Sequence, residues 1–173
     1  AFMWDVSRVQ EVSFGSRSSN TGWEVESLDN AIDFVSVWRL PCVTKVVAPP
    51  SGNVFHRFLN EINLSESTKL TELGNHSFAG SALRTILLPN GLQKIGVGCF
   101  RNCENLTYVG LQEGLEVLRI ACFARCTSLT SITIPKSVQL MEDDCFKGCT
   151  ALVHATLPTR LKRLAPDLFG ECT

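Results

Sequence analysis

Paired cysteines are the residues of this 173-residue chain whose spacing most resembles that of a chemical site. The motif Cys-Phe-x-x-Cys occurs three times, at Cys99 and Cys103, Cys122 and Cys126, and Cys145 and Cys149. A spacing of four places both thiols on one side of a helical turn, and stacked turns of this kind would suggest a metal site or a disulfide framework. The alternative is structural, because an unpaired cysteine also packs as a small apolar residue.

The other residues capable of chemistry form no recognisable site. His56, His76 and His154 are scattered, and no local motif places a serine or cysteine with a histidine and a carboxylate. The acidic run at residues 142–144 lacks the alternation of a calcium loop, and we interpret it as a solvated edge. We therefore expect no enzyme, no metal ligands and no cofactor.

Composition limits the partner classes. The chain carries 16 basic and 17 acidic residues, so its net charge of −1 creates no field that would attract nucleic acid. No apolar run approaches the roughly 18 residues that a membrane-spanning helix needs. A hydrophobic fraction of 45% is typical of a core-forming protein. These properties favour protein partners over nucleic acid or a membrane interior.

Two markers show that the chain is built from repeats. The last apolar residue of a Leu-x-x-Ile-x-Leu segment recurs with spacings of 24, 23, 23 and 23, at Leu64, Leu88, Leu111, Ile134 and Leu157. A phenylalanine recurs with spacings of 22, 23, 23 and 23, at Phe78, Phe100, Phe123, Phe146 and Phe169. A shared period of about 23 residues predicts a solenoid in which each coil buries its apolar face against its neighbours.

The amino-terminal third follows the same template less closely. We assign residues 59–173 to regular repeats and residues 1–58 to degenerate coils of one continuous solenoid, with a surface loop near residues 15–22. Two early segments, residues 9–14 and 43–48, match the strand pattern and are predicted as strands of the same sheet. Residues 23–40 are predicted as a short helix or an irregular coil.

The repeat resembles a known family. The segment "CTSLTSITIPKSV" at residues 126–138, followed by "CFKGCTAL" at residues 145–152, resembles the BspA-like leucine-rich repeats. The resemblance implies a right-handed coil with a parallel sheet on one face and turns or short helical pieces on the other, an α/β-type solenoid. It also implies an interaction surface, because such repeats serve as binding modules. The family usually has alanine before the phenylalanine, whereas this chain has Cys99, Cys122 and Cys145 there.

The resemblance also changes the interpretation of the cysteines. A fixed position in every coil implies a small buried residue, and parallel Cβ vectors on stacked coils disfavour disulfide bonds. We therefore predict that all eight cysteines are free thiols, and that phenylalanines and cysteines form core ladders. The ladder residues are Phe78, Phe100, Phe123, Phe146, Phe169, Cys103, Cys126, Cys149 and Cys172.

The residues that vary between repeats are the candidates for function. Side chains alternate along a strand, so the residues beside the buried isoleucines point outward and form an uncharged stripe. These candidate partner-binding residues are Thr85, Leu87, Tyr108, Ser131, Thr133, His154 and Thr156. Either this stripe is a plain solvated surface, or it binds a partner with Tyr108 as the anchor.

We expect a non-catalytic interaction or scaffolding module, with a structural subunit of a larger assembly as one context. A cell-surface adhesin and a cysteine-based metal or redox protein are the alternatives. Free thiols favour an intracellular or organellar location, whereas disulfides or glycans on the Asn75 or Asn105 sequons favour the cell surface or secretion. Because the last repeat stops at "LFGECT", we expect further repeats or another subunit to cover Leu157, Leu161, Leu164 and Phe169.

Overall fold

The computed structural model describes residues 11–13, 37–39, 45–47, 60–162 and 164–172. These residues contain short parallel strands and no helix. The strands are β1 (Glu11–Ser13), β2 (Val37–Arg39), β3 (Lys45–Val47), β4 (Glu61–Asn63), β5 (Glu72–Leu73), β6 (Thr85–Leu87), β7 (Lys94–Ile95), β8 (Tyr108–Gly110), β9 (Val117–Leu118), β10 (Ser131–Thr133), β11 (Leu140–Met141) and β12 (His154–Thr156).

One face of the coils carries the predicted sheet, called the front sheet below. Strands β2, β4, β6 and β8 pair in parallel in this order, β10 lies beside β8, and β10 pairs with β12. The central residues Ile62, Ile86, Val109 and Ile132 are buried, because alternate side chains of each strand point into the coil. The parallel-sheet solenoid with a period of about 23 residues is thereby confirmed.

The opposite face carries a second parallel sheet, called the back sheet below, where turns or short helical pieces were expected. Its order is β1, β3, β5, β7, β9 and β11, and most of its strands contain only two residues. Each two-residue strand contributes one buried residue, and these are Leu73, Ile95, Leu118 and Met141. Stacking at one position per coil is therefore enough to pair the backbones into a ladder.

The register of the two sheets corrects the placement of the early strands. Val12 pairs with Val46, and Val46 pairs with Leu73, so both early segments belong to the back sheet. The front-sheet partner of Ile62 is instead Trp38, which lies in the stretch predicted as helix or coil. The prediction was wrong because segments from opposite faces of the coil were aligned with each other. The predicted loop at residues 15–22 lies outside the described residues.

An arch connects each back strand to the next front strand, and it is built around the repeating phenylalanine. The five rings of Phe78, Phe100, Phe123, Phe146 and Phe169 stack with centroid separations of 5.1–5.5 Å and interplanar angles of 1–11°. The first four are fully buried, whereas Phe169 is half-buried in the last coil. This stack continues the core from one coil to the next.

Each arch turns through two left-handed residues, two positions before and two positions after its phenylalanine. The preceding residues are His76, Gly98, Ala121, Asp144 and Asp167, and the following ones are Gly80, Asn102, Arg125, Gly148 and Glu171. Their φ values lie between 53° and 71°. Glycine adopts this conformation without cost, whereas other residues pay about 1–2 kcal/mol for it. Neighbouring coils stabilise the arch through backbone bonds such as Phe100 N to Cys122 O, 2.7 Å.

Candidate interaction surface

The cysteines form two columns inside the arch, one residue before and three residues after the phenylalanine. In the second column each thiol donates to the carbonyl of the phenylalanine in the preceding coil. The donor–acceptor distances are 3.0–3.2 Å, from Cys103 to Phe78, Cys126 to Phe100, Cys149 to Phe123 and Cys172 to Phe146. Each of these carbonyls also accepts a backbone N–H from its own arch, so the thiol supplies a second hydrogen bond that joins neighbouring coils.

Two serines extend these columns into the coil at Phe78, and sequence reasoning missed them. Ser81 lies three residues after Phe78, and its Oγ is 3.3 Å from Cys103 Sγ. Ser77 lies one residue before Phe78, and its Oγ donates to Gly74 O at 2.8 Å. Aligning the repeats on their phenylalanines places both serines in the cysteine positions, whereas in the last coil the buried Leu168 takes the position before Phe169.

Most of the thiols lie in the buried core of the arch. The seven described cysteines are all unbonded, and six of them are buried. Burial raises the pKa of Cys99 and raises that of Cys103 to about 11. The hydrogen bond between Cys126 and Cys149 raises the pKa of Cys126 and lowers that of Cys149. Among the described residues, no three Cys, His, Asp or Glu side chains form a group that could hold a metal ion.

The outward-facing residues of the front sheet lie in two rows. Thr85 pairs with Tyr108 and Ser131 with His154 in one row, while Leu87 pairs with Gly110 and Thr133 with Thr156 in the other. Thr85 and Leu87 are half-buried, whereas Tyr108, Ser131, Thr133, His154 and Thr156 are exposed. The structure therefore brings all seven candidate residues onto one surface. Within the described part of the chain, no ion pair involves this surface.

Tyr108 makes an apolar platform at the centre of the front surface. Its side chain remains 53% exposed although β6 lies on one side of its strand and β10 on the other. A Cβ added to Gly110 would lie 3.0 Å from Leu87 Cδ2, 3.5 Å from Tyr108 Cε1 and 3.6 Å from its hydroxyl oxygen. The tyrosine ring and Leu87 therefore approach each other over the glycine, which has no side chain to separate them. An exposed ring with an apolar neighbour suits a protein contact.

The outer surface of the back sheet is organised differently, by ion pairs and backbone caps. Lys94 Nζ lies 2.8 Å from Glu72 Oε1, and Arg119 Nη1 lies 3.0 Å from Glu142 Oε1. Glu142 Oε2 also accepts a hydrogen bond from Ile120 N at 3.0 Å. The predicted solvated edge at residues 142–144 thus includes one carboxylate that joins two coils. A second cap runs from Val97 N to Asn75 Oδ1 at 2.9 Å.

The last described coil is less covered than the others. Leu157, Leu161 and Phe169 are half-buried, and Leu164 is 61% exposed although it repeats the position of Met141. Ala155 is exposed, whereas its strand partner Ile132 is buried. Cys172 is half-buried for the same reason. Inward-facing positions of this coil lack the second neighbour that buries their counterparts.

Two of the depressions on the described surface are lined by residues from neighbouring coils. One of about 450 Å³ is lined by Gly80, Ser81, Ala82, Asn102, Glu104 and Asn105. The other, of about 270 Å³, includes Ile120, Leu140 and the paired Arg119 and Glu142. Neither contains a histidine, and His56 and Cys42 lie outside the described residues. The described part of the chain also contains no helix of the length and apolarity required to cross a bilayer.

Comparison with known proteins agrees with this geometry. The family model described as "BspA type Leucine rich repeat region" matches six copies over residues 52–173. A leucine-rich repeat protein from Bacteroides ovatus is 29% identical with a TM-score of 0.63, covering 72% of this chain and 32% of that one. The T. pallidum leucine-rich repeat protein is 28% identical with a TM-score of 0.59, covering 75% and 55%.

A leucine-rich repeat protein from Eubacterium ventriosum is 25% identical with a TM-score of 0.62, covering 72% of this chain and 33% of that one. The chain therefore spans between about a third and about half of the length of these solved proteins. Comparison with curated protein sequences yields no match. Since the family model covers most of the sequence and the coils have the expected period, the chain belongs to the BspA-type leucine-rich-repeat family.

Proposed function

We propose that this chain is a non-catalytic module that binds another protein through the outer surface of its front sheet. The observation that carries the proposal is the platform of Tyr108, Gly110 and Leu87, which exposes an aromatic ring on a surface without ion pairs among the described residues. Repeat proteins of this family generally act as protein-interaction modules, which agrees with that surface. Tyrosine is enriched among the residues that dominate binding energy.

The hydroxyl-rich flank of the platform fits the same role. Ser131, Thr133 and Thr156 lie on one side of it and present small polar side chains that can exchange hydrogen bonds with a partner. They lose little conformational entropy when a partner covers them, in contrast to long charged side chains. A flat parallel sheet presents these groups at a regular spacing of about 4.8 Å between coils.

The proposal is tested by photo-crosslinking from two surfaces of the same protein. A photoreactive amino acid replaces Thr133 on the front sheet or Val117 on the back sheet, and each variant is irradiated in the native source. A protein that crosslinks from position 133 and not from position 117 is expected. Equal crosslinking of that protein from both positions would contradict the proposed surface.

A truncation then measures the contribution of the platform. Tyr108→Ala is expected to weaken binding of the identified partner by about 2 kcal/mol or more, roughly thirtyfold, as for other central aromatic anchors. Thr130→Ala, an exposed change at a position adjoining the front strands, serves as the matched control. Unchanged affinity of the Tyr108 variant, with an unchanged unfolding transition, would remove the platform from the interface.

A further inference from the structure

We propose that Asn90 is a site of spontaneous deamidation and isomerisation in the folded protein. Asn90 and Gly91 are the central residues of the turn that leaves front strand β6, closed by Leu92 N donating to Pro89 O at 3.2 Å. Asn90 is exposed, and its side chain makes no hydrogen bond or ion pair with the described residues. It is the only asparagine of the chain that precedes a glycine.

The next coil shows what distinguishes this turn. There the amide of Gly114, the counterpart of Gly91, donates to Ser137 Oγ at 3.0 Å. Ser137 Oγ in turn donates to Leu115 O at 2.8 Å, and the Glu113 carboxylate accepts from Lys136 N and Ser137 N, both at 3.2 Å. These side chains join the two turns.

The turn at Asn90 lacks this connection. The residue that would cap Gly91 from the following coil is Gly114, which has no side chain. Within the described part of the chain, Gly91 N makes no hydrogen bond. Gly91 also has no Cβ to hinder approach to its nitrogen. The nucleophile and the electrophile of the reaction are therefore adjacent, and neither forms a hydrogen bond with the described residues.

The reaction needs only water and base. Base removes the Gly91 amide proton, and the nitrogen forms a bond to Asn90 Cγ. The bond from Asn90 Cγ to Nδ2 then breaks, and Nδ2 takes up a proton and leaves as ammonia. The ring that remains is a succinimide. Water then opens either carbonyl of the ring, producing aspartate or isoaspartate. The sum is one water consumed and one ammonia released, with no change of oxidation state.

The product would alter the stacking of the corner turns. Isoaspartate adds one methylene to the main chain, and the coils approach closely here, since a Cβ on Gly91 would lie 2.9 Å from Thr68 O. Either product also adds a negative charge at the position that Glu113 occupies in the next coil, and like charges on stacked positions repel. The modified turn is expected to separate from its neighbours.

The first experiment compares the folded chain with a peptide. The full chain and the synthetic peptide of residues 85–94 are kept in the same mildly alkaline buffer, and conversion is followed by mass spectrometry after digestion at Arg84 and Lys94. The rate at Asn90 in the folded chain is expected within about tenfold of the peptide rate, or about 1.4 kcal/mol of activation free energy. Protection beyond about a hundredfold would overturn the proposal, as would equal conversion of Asn102 and Asn105.

The second experiment transfers the site to the capped turn. Glu113→Asn creates an asparagine before Gly114, whose amide is bound by Ser137, and conversion at position 113 is expected to be at least about tenfold slower than at Asn90. Adding Ser137→Ala removes the cap and is expected to restore fast conversion. If the two variants, both shown folded by circular dichroism, convert at equal rates, amide capping does not control the reaction and the structural argument fails.

Discussion

On the back sheet, charged side chains pair between neighbouring coils, whereas on the front sheet most of the candidate side chains extend into solvent. Glu142 contacts both Arg119 and the Ile120 amide, while Tyr108 keeps half of its surface exposed. The two sheets have the same parallel pairing, so backbone geometry does not explain the difference. Side chains on the back surface join neighbouring coils, and most candidate side chains on the front surface remain exposed.

Two glycines allow the largest test of this contrast. A Cβ on Gly96, which follows back strand β7, would lie 2.7 Å from each of three backbone atoms, Leu73 O, Gly74 C and Asn75 N. A Cβ on front-sheet Gly110 would meet only side-chain atoms, the flexible end of Leu87 at 3.0 Å and the Tyr108 ring at 3.5 Å. Gly96→Ala is expected to cost about 3 kcal/mol and Gly110→Ala less than about 1 kcal/mol, because backbone cannot yield as a side chain can.

Urea unfolding of the two alanine variants measures this difference. Neither glycine has a positive φ, so conformational strain does not confuse the comparison. Losses that agree within about 0.5 kcal/mol, the usual scatter of surface substitutions, would mean that the two surfaces are equally tolerant.

The free energy of unfolding at alkaline pH reports on the arch that follows the back strand, because this arch contains the buried thiol of Cys103. Burial raises the pKa of Cys103 from 9.0 to about 11, so both states hold the proton below pH 9. Above pH 9 the Cys103 thiol loses its proton in the unfolded chain first. The free energy of unfolding therefore falls as the pH rises towards 11. This difference corresponds to roughly 3 kcal/mol for this thiol. Cys103→Ser, which places in this column the residue type already present at Ser81, should flatten the profile measured by urea unfolding.

The profile has a clear contrary outcome. An equal slope in the parent and the Cys103→Ser variant would mean that this thiol is not buried in the folded protein. The remaining slope in the variant is expected from Cys99, whose pKa burial also raises.

The smallest expected effect is that of the ion pair. Glu142→Ala removes the bond to Arg119 and the cap on Ile120 N, and we expect a loss of about 1–2 kcal/mol, mostly from the cap. The ion pair itself is partly exposed and contributes no more than about 1 kcal/mol, weakened by salt. Glu116→Ala is the control, because that exposed carboxylate has no partner among the described residues. Thermal unfolding at two salt concentrations separates the two contributions, because salt weakens the ion pair with Arg119 more than the hydrogen bond to Ile120 N.

The sequence was sufficient to predict the strands of the front sheet, but it was insufficient to predict those of the back sheet. Ile86 and Ile132 alternate with outward residues over a full strand, which is a periodic signal. Back strands such as Lys94–Ile95 present one inward residue each, too few for a pattern. The spacing from Val46 to Leu73 is 27 residues, which hid the equivalence of these positions.

The left-handed residues of the arch are a second feature that the sequence alone did not predict. Arg125 and Ala121 adopt left-handed backbone, although neither residue type indicates it. Glycine at the equivalent positions 98 and 148 is a hint that only the repeat alignment reveals. The candidate surface was identified because strand alternation fixes which side chains point outward. The overlap of Tyr108 with Gly110 was not predicted, since it depends on how a ring leans across a strand.

The coil-to-coil hydrogen bonds have a mechanical consequence. Bonds such as Phe123 N to Cys145 O join each coil only to the adjacent one, so a pulling force applied along the solenoid has to break one coil's ladder before it reaches the next. Each released coil of 23 residues, the spacing from Ile95 to Leu118, would lengthen the chain by about 75–80 Å. Such a chain yields in steps of equal length, and it extends under load without losing the coils that remain stacked.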